Sequence, residues 1–232
     1  MKKVVIFDVD GVLLDSVGRS VAALCRAITK HDLPPHFNLI TEKWGQPFKA
    51  VLIPALALAG KWPLYKQQLV ERDLEVFFET SVFGGAFGLK EKLQSLKDAN
   101  LALGVLTNRS DKMLEKAFTD LGLDSNIFDF LHSADCGVQK PNSQVFEKIS
   151  EFYRPDEIIF VGDSIICDLP AAYNHEPAID FVGITSAIHS KKNFISAGVP
   201  EDMIFDSVTD FIDDFLSNNF ADSTFNFEVA VE

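Results

Sequence analysis

Short runs of β-branched and aromatic residues recur along the chain, and each stops at a small or polar turn. The clearest runs are Val4-Val5-Ile6-Phe7, Ala102–Leu106, residues 158–161 and residues 179–184. In the segments between the later runs, apolar residues recur at the three- and four-residue spacing of a helix. Strands that alternate with helices favour βαβ units and a parallel sheet. We therefore predict an α/β protein with a doubly wound, Rossmann-like parallel-sheet core.

One long stretch interrupts this alternation. Residues 16–84 show helical patterns, most clearly at residues 21–28 and 69–78, and no convincing strand. The stretch ends at Gly84-Gly85, a pair suited to a flexible joint. We predict two domains: an α/β core made of residues 1–15 and 85–232, and an all-helical cap domain, residues 16–84, inserted after the first strand. We also expect the cap to close over the core during function.

The C-terminal segment predicts one more helix and a tail. Ser207 and Asp210 have the spacing of a capping box, and the apolar residues that follow as far as Leu216 share one helical face. Residues 217–232 show no strong period, so we predict a loose tail there.

The charge of the chain argues against several classes of partner. Its 232 residues include 34 acidic and 21 basic side chains, a formal charge of −13. Such a chain would repel nucleic acid polymers and anionic lipid. It also lacks an apolar run near the roughly 18 residues that a membrane span needs. Nine of the acidic residues and none of the basic ones fall in residues 193–232, so the acidity is concentrated near the C-terminus.

The cysteine pattern and the first residues of the chain indicate the cellular compartment of the protein. Cys25, Cys136 and Cys167 form no CxxC pair. The opening residues MKKVVIFDVD lead into an acidic segment with no signal-peptide pattern. We therefore expect a cytoplasmic protein. We interpret Cys167 as a small buried residue without a redox role.

Polar and acidic side chains follow the predicted strands. Asp8 and Asp10 stand two residues apart after the first strand, so they point to the same side. Further polar residues follow the later strands: Thr107, Asn108, Asp163 and Asp168. In a parallel sheet these ends share one edge, where ligands bind. Several carboxylates in one crevice need a cation, and their oxygen atoms suit Mg²⁺.

Four segments now make the chain recognisable as a member of a known family. They are Asp8-Val9-Asp10-Gly11-Val12-Leu13-Leu14-Asp15-Ser16, Leu106-Thr107-Asn108, Lys140-Pro141, and Val161-Gly162-Asp163-Ser164-Ile165-Ile166-Cys167-Asp168. In order and spacing they resemble the four motifs of the haloacid dehalogenase-like hydrolase superfamily. The resemblance is greatest to its phosphoglycolate phosphatase-type branch, whose helical cap is inserted after the first strand.

The resemblance implies a role for each motif residue. Asp8 would be the nucleophile that forms an aspartyl-phosphate, and Asp10 the acid for the leaving oxygen and then the base for water. The Thr107 hydroxyl and the Asn108 backbone N–H would hold the phosphoryl oxygens. Lys140 would supply positive charge to these oxygens and to Asp8.

The resemblance also implies a magnesium site. Mg²⁺ would be held by Asp8, by the backbone carbonyl of Asp10 and by Asp163. Asp168 comes five residues after Asp163, with Cys167 at the position that near relatives often give to the second acid. Direct ligation by Asp168, ligation through water and a helix-capping role therefore stay open.

The helical cap carries the candidates for substrate contact. Trp44, Gln46 and Lys49 lie where relatives carry a glycine-containing segment near the substrate, although packing at a helix joint is the stronger interpretation for Trp44. Arg109 is interpreted as a surface or cap-contacting residue. The substrate would be a small phosphorylated metabolite, and phosphoglycolate, a sugar phosphate, a nucleotide and pyrophosphate stay open.

Several functions compete at this stage. Asp10 favours chemistry on oxygen-linked phosphate, which means either a phosphatase or a phosphomutase. We prefer the phosphatase, because a mutase must exclude water and nothing in the sequence demonstrates such control. A phosphoacceptor switch or an inactive interaction module is the alternative outside enzymes. The long insertion argues against the switch, and the complete set of motif residues argues against the inactive module.

Overall fold

A parallel sheet forms the centre of the core, and its order in space differs from its order along the chain. The computed structural model describes residues 2–46, 48–58 and 64–220. Its strands are β1 (Val4–Phe7), β2 (Ala102–Leu106), β3 (Phe130–His132), β4 (Ile158–Gly162), β5 (Asp180–Ile184) and β6 (Ile204–Phe205). The described sheet has the order β3-β2-β1-β4-β5-β6, and every pairing is parallel. The predicted α/β class is confirmed.

Strand β1 lies in the middle of this sheet. Val4 is aligned with Ala102 of β2 on one side and with Ile158 of β4 on the other. The strand order reverses at β1, and in open α/β sheets the crevice beyond the carboxyl ends at such a reversal is the usual ligand site. The residues that directly follow β1 therefore occupy the position best suited to bind a ligand.

Helices cover both faces of the sheet and form the insertion. Four of them, α1 (Val17–Lys30), α2 (Phe37–Glu42), α3 (Phe48–Leu58) and α4 (Leu64–Thr80), lie between β1 and the glycine pair Gly84-Gly85, and we call them the helical insertion. The others are α5 (Leu89–Asp98), α6 (Asp111–Leu121), α7 (Glu147–Ser150), α8 (Asp168–Tyr173), α9 (Lys191–Ser196) and α10 (Val208–Phe220). Among the described residues, no helix is long and apolar enough to span a bilayer.

Alternating side chains of β1 build two apolar layers. Val5 and Phe7 join a buried cluster that includes residues of α5, α6 and α10. Val4 and Ile6 join the opposite cluster, with residues of α7, α8 and α9. All four side chains are completely buried, as expected for a strand covered on both faces. Burial on both sides explains why β1 is a continuous apolar run rather than an alternating one.

The helical insertion has an apolar cluster of its own. Leu24 and Ile28 of α1, Leu52 of α3 and Val70 of α4 are completely buried within it. The rings of Phe77 and Phe78 on α4 pack against both this cluster and one layer of the sheet core. The domain boundaries, with the cap at residues 16–84, stay a prediction.

Three local expectations differ from the structure. Strands β3 and β6 were not predicted, because runs of three and two residues are too short to show a period. The apolar spacing of Val145, Phe146, Ile149 and Phe152 predicts one helix as far as Phe152, but a 3₁₀ turn at Ser143–Phe146 leads into the short α7, which ends at Ser150. The prediction of a loose tail from residue 217 is wrong for its first four residues, which continue α10 to Phe220. The rest of that tail, 221–232, lies outside the described residues.

The glycine pair that follows the insertion is packed against the core. The backbone N–H of Asp15 donates to the carbonyl of Gly84 over 2.8 Å. A Cβ at Gly85 would lie 2.6 Å from the Leu13 carbonyl oxygen and 2.6 Å from Cδ2 of Leu121. Close packing therefore requires a glycine at 85, whereas a Cβ at Gly84 would find no atom within 4 Å.

This contrast predicts different effects of two neighbouring substitutions. Gly85→Ala should lower the free energy of unfolding by about 1–3 kcal/mol, because the added methyl group would collide with the backbone of Leu13. Gly84→Ala, the matched control, should change it by less than about 1 kcal/mol. Urea denaturation of both variants measures the difference. Equal stabilities would contradict the packing argument.

Candidate active site

The carboxyl ends of three central strands bring buried polar side chains into one crevice. Asp8 follows β1, Thr107 follows β2 and Asp163 follows β4, and each of these side chains is buried. The short turn after β1 permits this crowding, because a Cβ at Gly11 would lie 2.3 Å from Oδ2 of Asp163. The structure thus brings together the residues that the sequence places at strand ends.

Lys140 lies inside this crevice between two carboxylates. Its Nζ atom is 2.8 Å from Oδ1 of Asp8 and 2.6 Å from Oδ1 of Asp168, and the residue is only 2% exposed. Burial opposes the charged form of the lysine, but the carboxylates of Asp168 and Asp8 outweigh it and raise the pKa of Lys140. The side chain therefore stays a cation at physiological pH.

Three buried carboxylates cluster in the crevice, and two of them contact this cation. Asp8, Asp163 and Asp168 each offer an oxygen atom, and these atoms lie within 4.8 Å of one another. Together with the Lys140 ammonium, the fully ionised group has a formal charge of −2. Burial, with Asp168 adding repulsion, raises the pKa of Asp8 to about 7 and raises the pKa of Asp163 well above its ordinary value. The group has the charge and the oxygen donors that suit a divalent cation.

Asp168 also organises the turn that carries Asp163. Its Oδ2 atom accepts from the backbone N–H of Asp163 over 3.0 Å and from that of Ser164 over 2.9 Å. Its Oδ1 atom faces Lys140. Asp168 therefore belongs to the carboxylate cluster and also accepts the hydrogen bonds that hold the turn at the start of α8. Cys167 beside it is buried, and burial raises the pKa of its thiol to about 12, consistent with a packing role.

The turn after β5 supports Asp163 from behind. The Ser186 side chain favours the ionised form of the Asp163 carboxyl and offsets part of the rise in its pKa. Nδ1 of His189 lies 2.8 Å from the Asp163 carbonyl oxygen. Burial lowers the pKa of His189, so its ring is neutral at physiological pH and donates its Nδ1–H to that carbonyl. The His189 contact therefore fixes the backbone of Asp163.

Asp10 faces a different partner from Asp8. Arg109 donates to it in a bidentate pair, with Nε and Nη2 each 2.6 Å from a carboxylate oxygen, and the Ser16 hydroxyl donates to the same carboxylate. Burial alone would raise the pKa of Asp10, but Arg109 outweighs burial and holds it below its ordinary value. The interpretation of Arg109 as a surface residue is wrong, because its side chain is 9% exposed and bound to Asp10.

Thr107 and Asn108 form the wall on the β2 side. The Thr107 hydroxyl accepts from the backbone N–H of Arg109 over 3.2 Å. The Asn108 side chain bonds to the backbone of Lys140 and to the carbonyl of Gly45 in the helical insertion. The motif after β2 therefore contacts both the buried lysine and the insertion.

The three candidate residues for substrate contact lie in or next to the turn between α2 and α3. Trp44 is half-buried and packs against the apolar cluster of the insertion, in line with a role at a helix joint. Gln46 is half-buried, and its backbone N–H donates to the Lys43 carbonyl over 3.2 Å. Lys49 is exposed near the start of α3. Contact of these residues with a substrate stays a prediction.

Four residues that complete the site are not among those predicted from the sequence. Arg109 directly follows Thr107 and Asn108 at the end of β2, so the sequence could have placed it at the same edge of the sheet. Ser16 ends the first motif, and that position could likewise have indicated its place in the site. Ser186 and His189 lie after β5, but no pattern in the sequence connects them with Asp163.

Comparison with known proteins agrees with this geometry. Residues 2–175 match the family model described as haloacid dehalogenase-like hydrolase, so the chain belongs to that family. A phosphoglycolate phosphatase of Haemophilus influenzae (strain 86-028NP) is 26% identical over 197 residues, covering 79% of this chain and 85% of that protein. One from Agrobacterium fabrum is 28% identical over 194 residues, 78% of this chain and 79% of that protein.

Solved structures share the fold. A predicted phosphoglycolate phosphatase of Haemophilus somnus superposes with a TM-score of 0.78 at 22% identity, over 92% of this chain and 98% of that chain. A β-phosphoglucomutase of Clostridium difficile does so with a TM-score of 0.73 at 17% identity, over 96% and 99%. The predicted family, its phosphoglycolate phosphatase-type branch and the prediction of a phosphatase are confirmed.

The cluster of like charges predicts an unusual pH dependence of stability. Asp8 and Asp163 have raised pKa values in the native state, so between about pH 4 and pH 7 the metal-free native protein binds more protons than the unfolded chain. The contribution of these two groups to the free energy of unfolding therefore falls as the pH rises from about 4 to 7. Asp163→Asn should raise the free energy of unfolding of the metal-free protein by about 1–2 kcal/mol at pH 8, and by less at pH 5.

Urea denaturation in the presence of a chelator measures this effect. Glu115→Gln, at an exposed position of α6, is the control for removing one negative charge from the whole chain. If Asp163→Asn destabilised the metal-free protein at pH 8, the electrostatic account of the cluster would be wrong.

Proposed function

We propose that the protein is a Mg²⁺-dependent phosphomonoester hydrolase that acts through an aspartyl-phosphate on Asp8. The observation that carries this proposal is the position of Asp8, buried at the end of the central strand and 2.8 Å from the Lys140 ammonium. A carboxylate held this way is available as a nucleophile, and the adjacent cation offsets charge that a phosphoryl group brings.

The first half of the reaction follows from the surrounding donors. An Asp8 oxygen attacks phosphorus, a P–O bond to Asp8 forms, and the P–O bond to the leaving alcohol breaks. The Thr107 hydroxyl, the Asn108 backbone N–H and Lys140 hold the phosphoryl oxygens in place. Asp10 gives its proton to the leaving oxygen.

The second half uses Asp10 as a base. Water attacks the phosphorus of the aspartyl-phosphate while Asp10 takes its proton, the P–O bond to Asp8 breaks, and inorganic phosphate leaves with the Asp8 carboxylate restored. The bidentate bond from Arg109 keeps Asp10 ionised, which suits the basic role. To act as an acid, Asp10 must first loosen its contact with Arg109, because that contact favours the ionised form.

Mg²⁺ is the cofactor that the carboxylate cluster fits best. Asp8, Asp163 and Asp168 would hold it together with the backbone carbonyl of Asp10, whose carboxylate is engaged by Arg109. When bound, the ion would neutralise the excess negative charge of the cluster and of the phosphoryl group. The support for this choice is the formal charge of −2 and the all-oxygen donor set.

The substrate is proposed to be a small phosphorylated metabolite. Phosphoglycolate is the first compound to test, because the curated relatives at 26% and 28% identity are named as phosphoglycolate phosphatases. Sugar phosphates, nucleotides and pyrophosphate follow it. In this proposal the helical insertion is the cap that closes over the crevice, with Trp44, Gln46 and Lys49 as contacts for the leaving group. The three free cysteines agree with a cytoplasmic enzyme.

Phosphate release from these compounds tests the proposal directly. The purified protein should release phosphate with Mg²⁺, and a chelator should stop the release. Asp8→Asn should abolish it, because the amide is no nucleophile. Asp156→Asn, which changes an exposed aspartate, should keep full activity. Turnover by the Asp8 variant would overturn the nucleophile assignment, and isomerised sugar phosphate without released phosphate would identify a phosphomutase.

The role of Asp10 predicts a second kinetic result. Asp10→Asn should slow both formation and hydrolysis of the aspartyl-phosphate, by about 10²–10⁴-fold in kcat. Asp15→Asn, in the same loop but exposed, should leave both steps unchanged. Rapid-quench measurements separate the two steps. A wild-type rate in the Asp10 variant would remove its acid–base role.

A further inference from the structure

The Asn108 side chain joins three separate segments through one amide group. Its Oδ1 atom accepts from the backbone N–H of Lys140 over 2.9 Å. Its Nδ2 atom donates to the Lys140 carbonyl over 3.0 Å and to the Gly45 carbonyl over 3.0 Å. One side chain therefore connects the turn after β2, the backbone of the buried lysine and the turn between α2 and α3.

The same turn of the insertion also approaches the other side of the crevice. Gly45 has φ = 95°, and a Cβ there would lie 2.9 Å from Oγ of Ser164 and 3.3 Å from its Cβ. Ser164 has little freedom to move away, because its Oγ accepts from the backbone N–H of Cys167 over 3.1 Å. Only glycine satisfies both the backbone conformation and the space at this position.

The sheet order shows where this turn lies. Asn108 follows β2 and Ser164 follows β4, and these strands flank β1. A turn that touches both must pass over the end of β1, which carries Asp8. Gly45 thus forms part of the cover of the crevice, and the amide that holds it there also holds Lys140.

We propose that Asn108 is a positioning residue that couples docking of the turn at residues 43–46 to the placement of Lys140. Docking adds the Gly45 carbonyl as a third partner of the amide and fixes its orientation. The amide in turn fixes the peptide of Lys140, whose Nζ lies between Asp8 and Asp168. The catalytic consequence rests on the proposed function, whereas the docking does not.

Substitutions at Asn108 and at Gly45 distinguish the docking of the turn from its coupling to Lys140. Asn108→Ala removes all three hydrogen bonds. Asn108→Asp keeps an acceptor for the Lys140 N–H. It replaces the Nδ2 donor with an oxygen, which repels the carbonyl oxygens of Gly45 and Lys140. Gly45→Ala keeps both bonds to Lys140 and blocks the docking. Gly198→Ala is the matched control, since Gly198 has φ = 92° and no atom within 4 Å of a Cβ, and exposed Asn126→Ala is the control for loss of an amide.

Hydrogen–deuterium exchange of the full, ligand-free chain tests the docking without reference to activity. Asn108→Asp, Asn108→Ala and Gly45→Ala should each speed exchange in a peptide that covers residues 41–46, severalfold, and leave β1 protected as in the wild type. The controls should leave both regions unchanged. Unchanged exchange at residues 41–46 in the Asn108 variants would overturn the proposed contact.

Kinetics test the coupling. Asn108→Ala should lower kcat by about tenfold or more, a larger factor than any rise in KM, because misplacing Lys140 affects the bound complex. Adding Gly45→Ala to Asn108→Ala should lower kcat little further, because the docking is already lost. Losses that simply add would overturn the coupling. If the variants exchange faster but the wild-type protein releases no phosphate, the docking is supported and the proposed function is rejected.

Discussion

The buried Lys140 ammonium between Asp8 and Asp168 is the interaction on which the rest of the site depends. Carboxylates buried without a partner would take up protons, and here a single lysine contacts two carboxylates of a cluster of three. The lysine offsets one charge and leaves an excess that matches a divalent cation. Asp168 makes this arrangement rigid, because its second oxygen holds the backbone of the turn that carries Asp163. Structure, cation binding and nucleophile are therefore parts of one electrostatic arrangement.

The parallel sheet is what makes such crowding possible. Carboxyl ends of β1, β2 and β4 lie side by side, so residues far apart in sequence meet without long loops. The apolar layers on both faces hold β1 rigidly and exclude water from below. The ring of Phe160 on β4 even lies 5.4 Å from the Lys140 ammonium, a contact that a cation over an aromatic face favours. Asp10, nearer the solvent, is matched with Arg109 instead, and this separates the environments of two carboxylates only two residues apart.

Much of this arrangement is visible in the sequence, and the reason is local. Three of the four motifs lie at the end of a strand, so the pattern of apolar run and polar turn is enough to place Asp8, Thr107 and Asp163 on one edge. The pairing of Arg109 with Asp10 spans 99 residues, and no local pattern specifies which carboxylate an arginine will meet. The three contacts of the Asn108 amide depend on tertiary structure in the same way. Short strands such as β6 exist only because a neighbouring strand offers hydrogen bonds, so they leave no period to detect.

The central place of β1 also determines when the core can assemble. The strand comes early in the chain, but the partners of Val4 are Ala102 and Ile158, which come much later. A ribosome must therefore deliver β4 before β1 is paired on both sides. The contacts within α1–α4 span far shorter stretches, so the helical insertion can gain structure while β1 still waits for its neighbours. Until then an apolar strand is exposed, and the nascent chain is most open to aggregation during that interval.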